Sequence, residues 1–181
     1  MVASLFILGG ARSGKSRFAV ERVPHRGRIV FVATAEAHDE DMAKRIARHR
    51  AERPSRWLTI EEPLDLVSRL RALDDACDGI VVDCLTLWVS NRLLRGDRDD
   101  VILEEAYGLA ELIGRRRSSF TVVSNEVGEG VHPETAMGRR FRDVLGVVNQ
   151  CVAAACDSVV LMVAGIPLTV KTPSPTPGAQ R

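Results

Sequence analysis

Seven short apolar runs punctuate the chain, at residues 4–8, 28–33, 57–60, 79–83, 120–124, 158–163 and 168–170. Several are nearly continuous in Val, Ile and Leu, the pattern of strands covered on both faces. Between them, stretches of helical character cover residues 15–23, 40–52, 64–76, 85–94, 101–117 and 135–156. Strands alternating with helices predict an α/β fold, a mostly parallel sheet flanked by helices. The last two runs break the rule. Only Ala164, Gly165, Ile166 and Pro167 separate them, too few for a crossover, so a C-terminal antiparallel hairpin is expected. Residues 1–171 read as a single domain, and the Pro- and Thr-rich residues 172–181 as a disordered tail with nothing apolar to bury.

The first apolar run leads directly into Gly9, Gly10, Ala11, Arg12, Ser13, Gly14, Lys15 and Ser16, a G-x-x-x-x-G-K-S sequence that opens a helix. Strand, glycine-rich turn and helix are the setting in which this pattern is a phosphate-binding loop. Gly9 and Gly14 let the backbone bring its N–H groups close to phosphate oxygens. The helix that starts near Gly14 turns its positive end toward the same anion. Lys15 would reach the β- and γ-phosphates, and the Ser16 hydroxyl would face Mg²⁺. A nucleoside triphosphate is the expected ligand.

Composition narrows the field. With 25 Lys and Arg against 24 Asp and Glu the net charge is +1, so no global field recruits nucleic acid. Arg115, Arg116 and Arg117 read as a favourable helix end. Cys77, Cys84, Cys151 and Cys156 form no C-x-x-C pair and read as reduced, mostly buried thiols of a cytoplasmic protein. No apolar stretch is long enough for membrane insertion, and the N-terminus lacks the layout of a signal peptide.

Further chemistry is spread along the chain. Asp83 ends an apolar strand; there it could hold Mg²⁺ beside Ser16 or cap the next helix. Met42, Ile46, His49 and Arg53 share one helical face, while Arg45 and Arg48 are expected to project elsewhere. Spacing alone leaves His49 two roles: a histidine packed at the edge of a core helix, which spacing favours, or a nucleophile with arginines to neutralise the phosphate it attacks. His25 and His38 fall in predicted loops, and His132 follows a glycine-rich turn. Asn125 and Glu126 begin a polar loop at a strand's carboxyl end, either a ligand grip or a plain connection. Trp57 reads as core aromatic or ligand platform.

In order and spacing these segments resemble the bifunctional adenosylcobinamide kinase/adenosylcobinamide-phosphate guanylyltransferase family. The resemblance runs from about Leu5 to Lys171. It rests on the phosphate loop, Ala33-Thr34, Asp41-Met42, Arg45-Ile46 with His49-Arg50, Arg53-Pro54, Trp57, Thr59 and Glu61. It continues through Val82 to Trp88, Ser90-Asn91, Asn125 to Gly128, Gly138 to Asp143, Asn149-Gln150 and Ala164 to Pro167. His132, where relatives carry an aliphatic residue, is a departure.

The resemblance implies a P-loop NTPase-like (RecA-like) fold and two reactions. ATP or GTP would phosphorylate adenosylcobinamide; GTP would then guanylylate His49, and GMP would pass to adenosylcobinamide phosphate. Family nucleotide contacts map onto the loop from Gly9 to Ser16, onto Ala33, Thr34 and Ala35, onto Arg50, Ala51, Glu52 and Arg53, and onto Glu61 and Asp83. Lys15 joins His49 as catalytic, Ser16 and Asp83 as metal ligands, and the family's trimeric assembly implies a homo-oligomer. A kinase without nucleotidyl transfer is the rival; a nucleotide-switched binding module lacks an N-K-x-D guanine-reading motif.

Overall fold

The structure, a computed structural model, describes residues 4–23, 26–37 and 39–173. His25, His38 and residues 174–181 of the expected tail lie outside the described residues. In chain order the elements are β1 (Ser4–Gly9), α1 (Lys15–Arg22), β2 (Ile29–Ala33), α2 (Glu40–Ala51), β3 (Leu58–Glu61), α3 (Leu66–Leu73) and β4 (Gly79–Asp83). They continue as α4 (Leu85–Arg95), α5 (Asp99–Arg115), β5 (Ser119–Val123), α6 (Ala136–Ala155), β6 (Ser158–Val163) and β7 (Ile166–Lys171). The strands form one sheet in the order β3-β2-β4-β5-β1-β6-β7. Every pairing is parallel except β6 with β7, so the α/β architecture and its terminal hairpin are as the sequence predicts.

The nearly unbroken apolar strands are buried on both faces because their side chains alternate between two cores. Phe6, Val30, Val32, Ile80, Val82, Phe120 and Val122 point into the large core shared with α3, α4, α5 and α6. Their neighbours point the other way: Ile7 and Val123 pack with Phe18 and Ala19 of α1, and Ile29, Phe31 and Val81 pack with Trp57. Trp57 is thus a core aromatic, stacked on Phe31 with ring centroids 6.5 Å apart. Helix α2 differs from the other helices. None of its residues is buried, although Asp39 caps its start by accepting from the Met42 N–H at 2.6 Å.

The β6–β7 connection is tighter than expected. Ala164 (φ 50°) and Gly165 (φ 83°) make a two-residue turn in the left-handed region, which matches the twist of a hairpin. Ile166 and Pro167 therefore belong to β7, whose edge position tolerates a proline. The Gly165 N–H donates to the Ser13 carbonyl at 3.1 Å, so the hairpin braces the phosphate loop.

Arg115 ends α5 as predicted, while Arg116 and Arg117 pair with Asp157 and Asp75. The cysteines are all free, but only Cys156 is fully buried; the other three sit at the margins of the cores, half covered.

A buried charge cluster stiffens the far end of α4. The Arg92 side chain is 2% exposed and ion-paired with Asp97 and with Glu105, the latter at 2.8 Å. Hydrogen bonds from Arg95 and then Arg92 hold the Asp97 carboxyl down at about 2. That depressed value contributes stability above the ordinary aspartate range, lost as pH falls through about 2. Removing the guanidinium takes away the partner of Glu105 and leaves Asp97 to Arg95 alone, so Arg92→Ala should cost about 3 kcal/mol of unfolding free energy. Urea denaturation checks this as a lower midpoint at unchanged slope.

Candidate nucleotide site

The site grows from the carboxyl ends of the parallel strands, where open α/β sheets bind ligands. At the end of β1, Gly9 has φ 147°, and a Cβ there would lie 2.5 Å from the Met162 carbonyl of β6, so only glycine fits. Gly14, at φ 93°, turns the loop into α1 as its N-cap. Lys15 folds back over the loop: its Nζ donates to the carbonyls of Gly9 at 2.8 Å and Gly10 at 2.6 Å. Burial lowers the Lys15 ammonium from its ordinary range, while Asp83 pulls it back up and Arg45 adds to the lowering.

Strand β5 lies between β1 and β4 in the sheet, so Asp83 stands two strands from the phosphate loop. Its backbone is held by Thr34, whose hydroxyl donates to the Cys84 carbonyl at 2.7 Å and accepts from the Cys84 N–H at 2.8 Å. Asn91 completes the clamp, donating to the Thr34 carbonyl at 2.8 Å. Burial pushes the neighbouring Cys84 thiol up to about 11, keeping it protonated at neutral pH.

Two cavities of about 810 and 730 Å³ meet over this surface. They share walls at Arg12, Ser13, Gly14, Ser16, His49, Glu52, Arg53 and Asp83, and so form two lobes of one basin. Lys15, Ala33, Ala35 and Glu61 line the larger lobe. The smaller one opens past Val20 and Phe31 to the Ala164-Gly165 turn. Arg53 lies over the Phe31 ring, its guanidinium carbon 3.8 Å from the centroid. The structure thus brings His49 to the same basin as the phosphate loop.

Six of the expected nucleotide contacts do not line either lobe. Gly9 is buried at the end of β1, Gly10, Ala11 and Ala51 are exposed, Thr34 is fully buried, and Arg50 reaches Glu61 at 3.6 Å. Asn125 and Glu126 do not line it either. Their loop is pinned instead, with Asn125 N–H donating to Thr86 Oγ1 at 2.7 Å and Glu126 N–H to the Gly9 carbonyl at 3.3 Å. His132 lies elsewhere, against Arg142 at 2.6 Å.

The helical-wheel expectation for α2 needs correcting. Met42, Ile46 and His49 are indeed its half-covered positions, with Arg53 half-covered just beyond its end, but Arg45 and Arg48 also line the larger lobe. The helix overhangs the loop without seating on the sheet, so its flanks face the basin as well. Successive residues turn by about 100°, which puts Arg45 only about 40° around the axis from His49.

Sheet order, phosphate loop and the acid-ended strand β4 define a P-loop NTPase-like α/β protein. Its particular kind follows from comparison with known proteins. The family described as cobinamide kinase/cobinamide phosphate guanyltransferase matches residues 5–170, and the chain belongs to it. Similar proteins include the bifunctional adenosylcobalamin biosynthesis protein CobP of Pseudomonas aeruginosa, 45% identical over 91% of this chain and 95% of that protein. The bifunctional adenosylcobalamin biosynthesis proteins CobU of Salmonella typhimurium and Escherichia coli are 38% and 35% identical, over 92% of this chain and 99% of each relative. Among the described residues, no helix is long and apolar enough to cross a membrane.

Proposed function

We propose that this chain performs both reactions in its family's description, on one basin, with His49 as the covalent carrier of GMP. The observation that carries the reading is that His49, Lys15, Ser16 and Asp83 all line the larger lobe. In the kinase step a hydroxyl of adenosylcobinamide attacks the γ-phosphorus of ATP or GTP; the bond to the bridging oxygen breaks and the nucleoside diphosphate leaves. In the second reaction an imidazole nitrogen of His49 bonds to the α-phosphorus of GTP, and the electron pair of the broken P–O bond leaves with pyrophosphate. A phosphate oxygen of adenosylcobinamide phosphate then attacks that phosphorus, and the N–P pair returns to the ring.

Splitting the transfer in two replaces one high barrier by two lower ones. In-line displacement puts entering and leaving groups on opposite sides of phosphorus. The acceptor phosphate therefore enters where pyrophosphate left, against the phosphate loop.

The loop from Gly9 to Ser16 supplies backbone N–H groups, and Ala33, Ala35, Glu52, Arg53 and Glu61 flank the nucleotide. Ser16 and Asp83 fit Mg²⁺, since a hydroxyl and a carboxylate are hard oxygen donors lining one cavity. This ion takes one or two protein ligands and completes its shell with phosphate and water. When bound it would neutralise phosphate charge. Self-association, a trimer by family resemblance, is supported by edge strand β7, where Ile166, Leu168 and Val170 are exposed. The free cysteines fit a cytoplasmic setting.

Intact-protein mass spectrometry after incubation with GTP and Mg²⁺ tests the reading. The expected result is a mass increase of one GMP, with the label labile to acid and stable to alkali. Unlabelled protein that still phosphorylates adenosylcobinamide would leave a kinase alone.

A further inference from the structure

Arg45 stands four residues before His49 on α2, one helical turn away along nearly the same flank. It lines the larger lobe with Arg12 and Lys15 and does not reach the smaller one. Four acids also line this lobe, Glu36, Glu52, Glu61 and Asp83, and none of them is ion-paired with Arg45. Glu61 faces Arg50 at 3.6 Å, and Asp83 acts on Lys15 and Arg53. Among the described residues Arg45 makes no ion pair, whereas the adjacent Lys44 pairs with Glu40 at 2.8 Å. A cation left unpaired beside another of like sign raises the energy of the empty site, and an anion placed between them lowers it.

We propose that the Arg45 guanidinium grips the pyrophosphate leaving GTP as His49 takes up GMP, opposite Lys15 across the lobe. This inference rests on guanylylation of His49. As the α-phosphorus bonds to the imidazole nitrogen, the breaking P–O bond sends its electron pair onto the β-phosphate, where negative charge grows. A guanidinium offers that charge a planar pair of N–H donors, which an ammonium cannot. Carrying nucleophile and leaving-group clamp one turn apart on a single helix fixes their mutual spacing. Lys15 serves any triphosphate bound on the loop; Arg45 serves the reaction in which pyrophosphate departs.

The test compares wild-type protein with Arg45→Ala, Arg45→Lys and Lys44→Ala. Two quantities are read: the single-turnover rate of GMP-adduct formation, and the pyrophosphate concentration that half-reverses a preformed adduct. Arg45→Ala should slow adduct formation by about 10²-fold, the typical loss of one charge-stabilising donor. It should also raise the half-reversal concentration at least about tenfold, and Arg45→Lys should recover part of both. Lys44→Ala, on the outer face, should match wild type. Arg45→Ala with an unchanged half-reversal concentration overturns the proposal, whatever its rate. So does Lys44→Ala behaving like Arg45→Ala, which would mean a helix-wide charge effect. Wild-type protein that takes up no GMP would defeat the parent reading, and this one with it; a normal wild-type adduct with an unaffected Arg45→Ala variant defeats this one alone.

Discussion

His49→Ala is expected to eliminate the GMP-labelled enzyme completely while leaving the protein folded and able to phosphorylate adenosylcobinamide. On the proposed mechanism the imidazole forms the bond to the α-phosphorus, so its removal takes away the nucleophile of guanylyl transfer. Its loss should be almost free structurally. The helix that bears it has no buried residue, and substitutions on such surfaces change stability by within about 0.5 kcal/mol. The kinase step attacks the γ-phosphorus with the acceptor's own hydroxyl and needs no imidazole, so the two activities should separate. Circular dichroism, thermal melting and radiolabelling with α-labelled GTP check each part. Label persisting on the variant would mean that another residue carries GMP.

Lys15→Ala should damage both reactions at once, by about 10²- to 10³-fold each, because a single ammonium would serve every triphosphate on the loop. In the structure that ammonium is held by the Gly9 and Gly10 carbonyls at 2.8 and 2.6 Å. An arriving phosphate would exchange those neutral acceptors for charged ones. Burial already lowers the Lys15 pKa, so nucleotide binding should weaken with rising pH sooner than it would for a solvent-exposed lysine. Kinase turnover in the variant equal to wild type would show that the two reactions use separate sites.

Much of the architecture was legible in the chain. Unbroken Val and Ile runs announce doubly covered strands, and the short Ala164-Gly165 connection allows nothing but a hairpin. What periodicity cannot supply is strand order. That β5 threads between β1 and β4, removing Asp83 from the strand next to the loop, depends on which helices pack on which face. The site was half legible. The phosphate loop and Asp83 follow from local chemistry, and a helical wheel places His49 with Met42, Ile46 and Arg53. The same wheel discards Arg45 and Arg48, because it assumes that one flank faces a core and the rest faces water. Over α2 there is no core, only a basin that both flanks border. The structural role of Thr34 was hidden for a related reason: its hydroxyl binds the Cys84 backbone, a partner 50 residues away that no window of sequence contains. The Gly165–Ser13 tie at the wall of the smaller lobe is equally invisible along the chain.

The interposed strand sets a yardstick. Neighbouring strands lie about 4.8 Å apart, so the rims of β1 and β4 are separated by about 10 Å. A lone phosphate nestled in the glycine turn stops short of the aspartate on the far rim. A polyphosphate chain with its counter-cation would be long enough to touch both, and would then tie the two halves of the sheet's upper edge together through one strut.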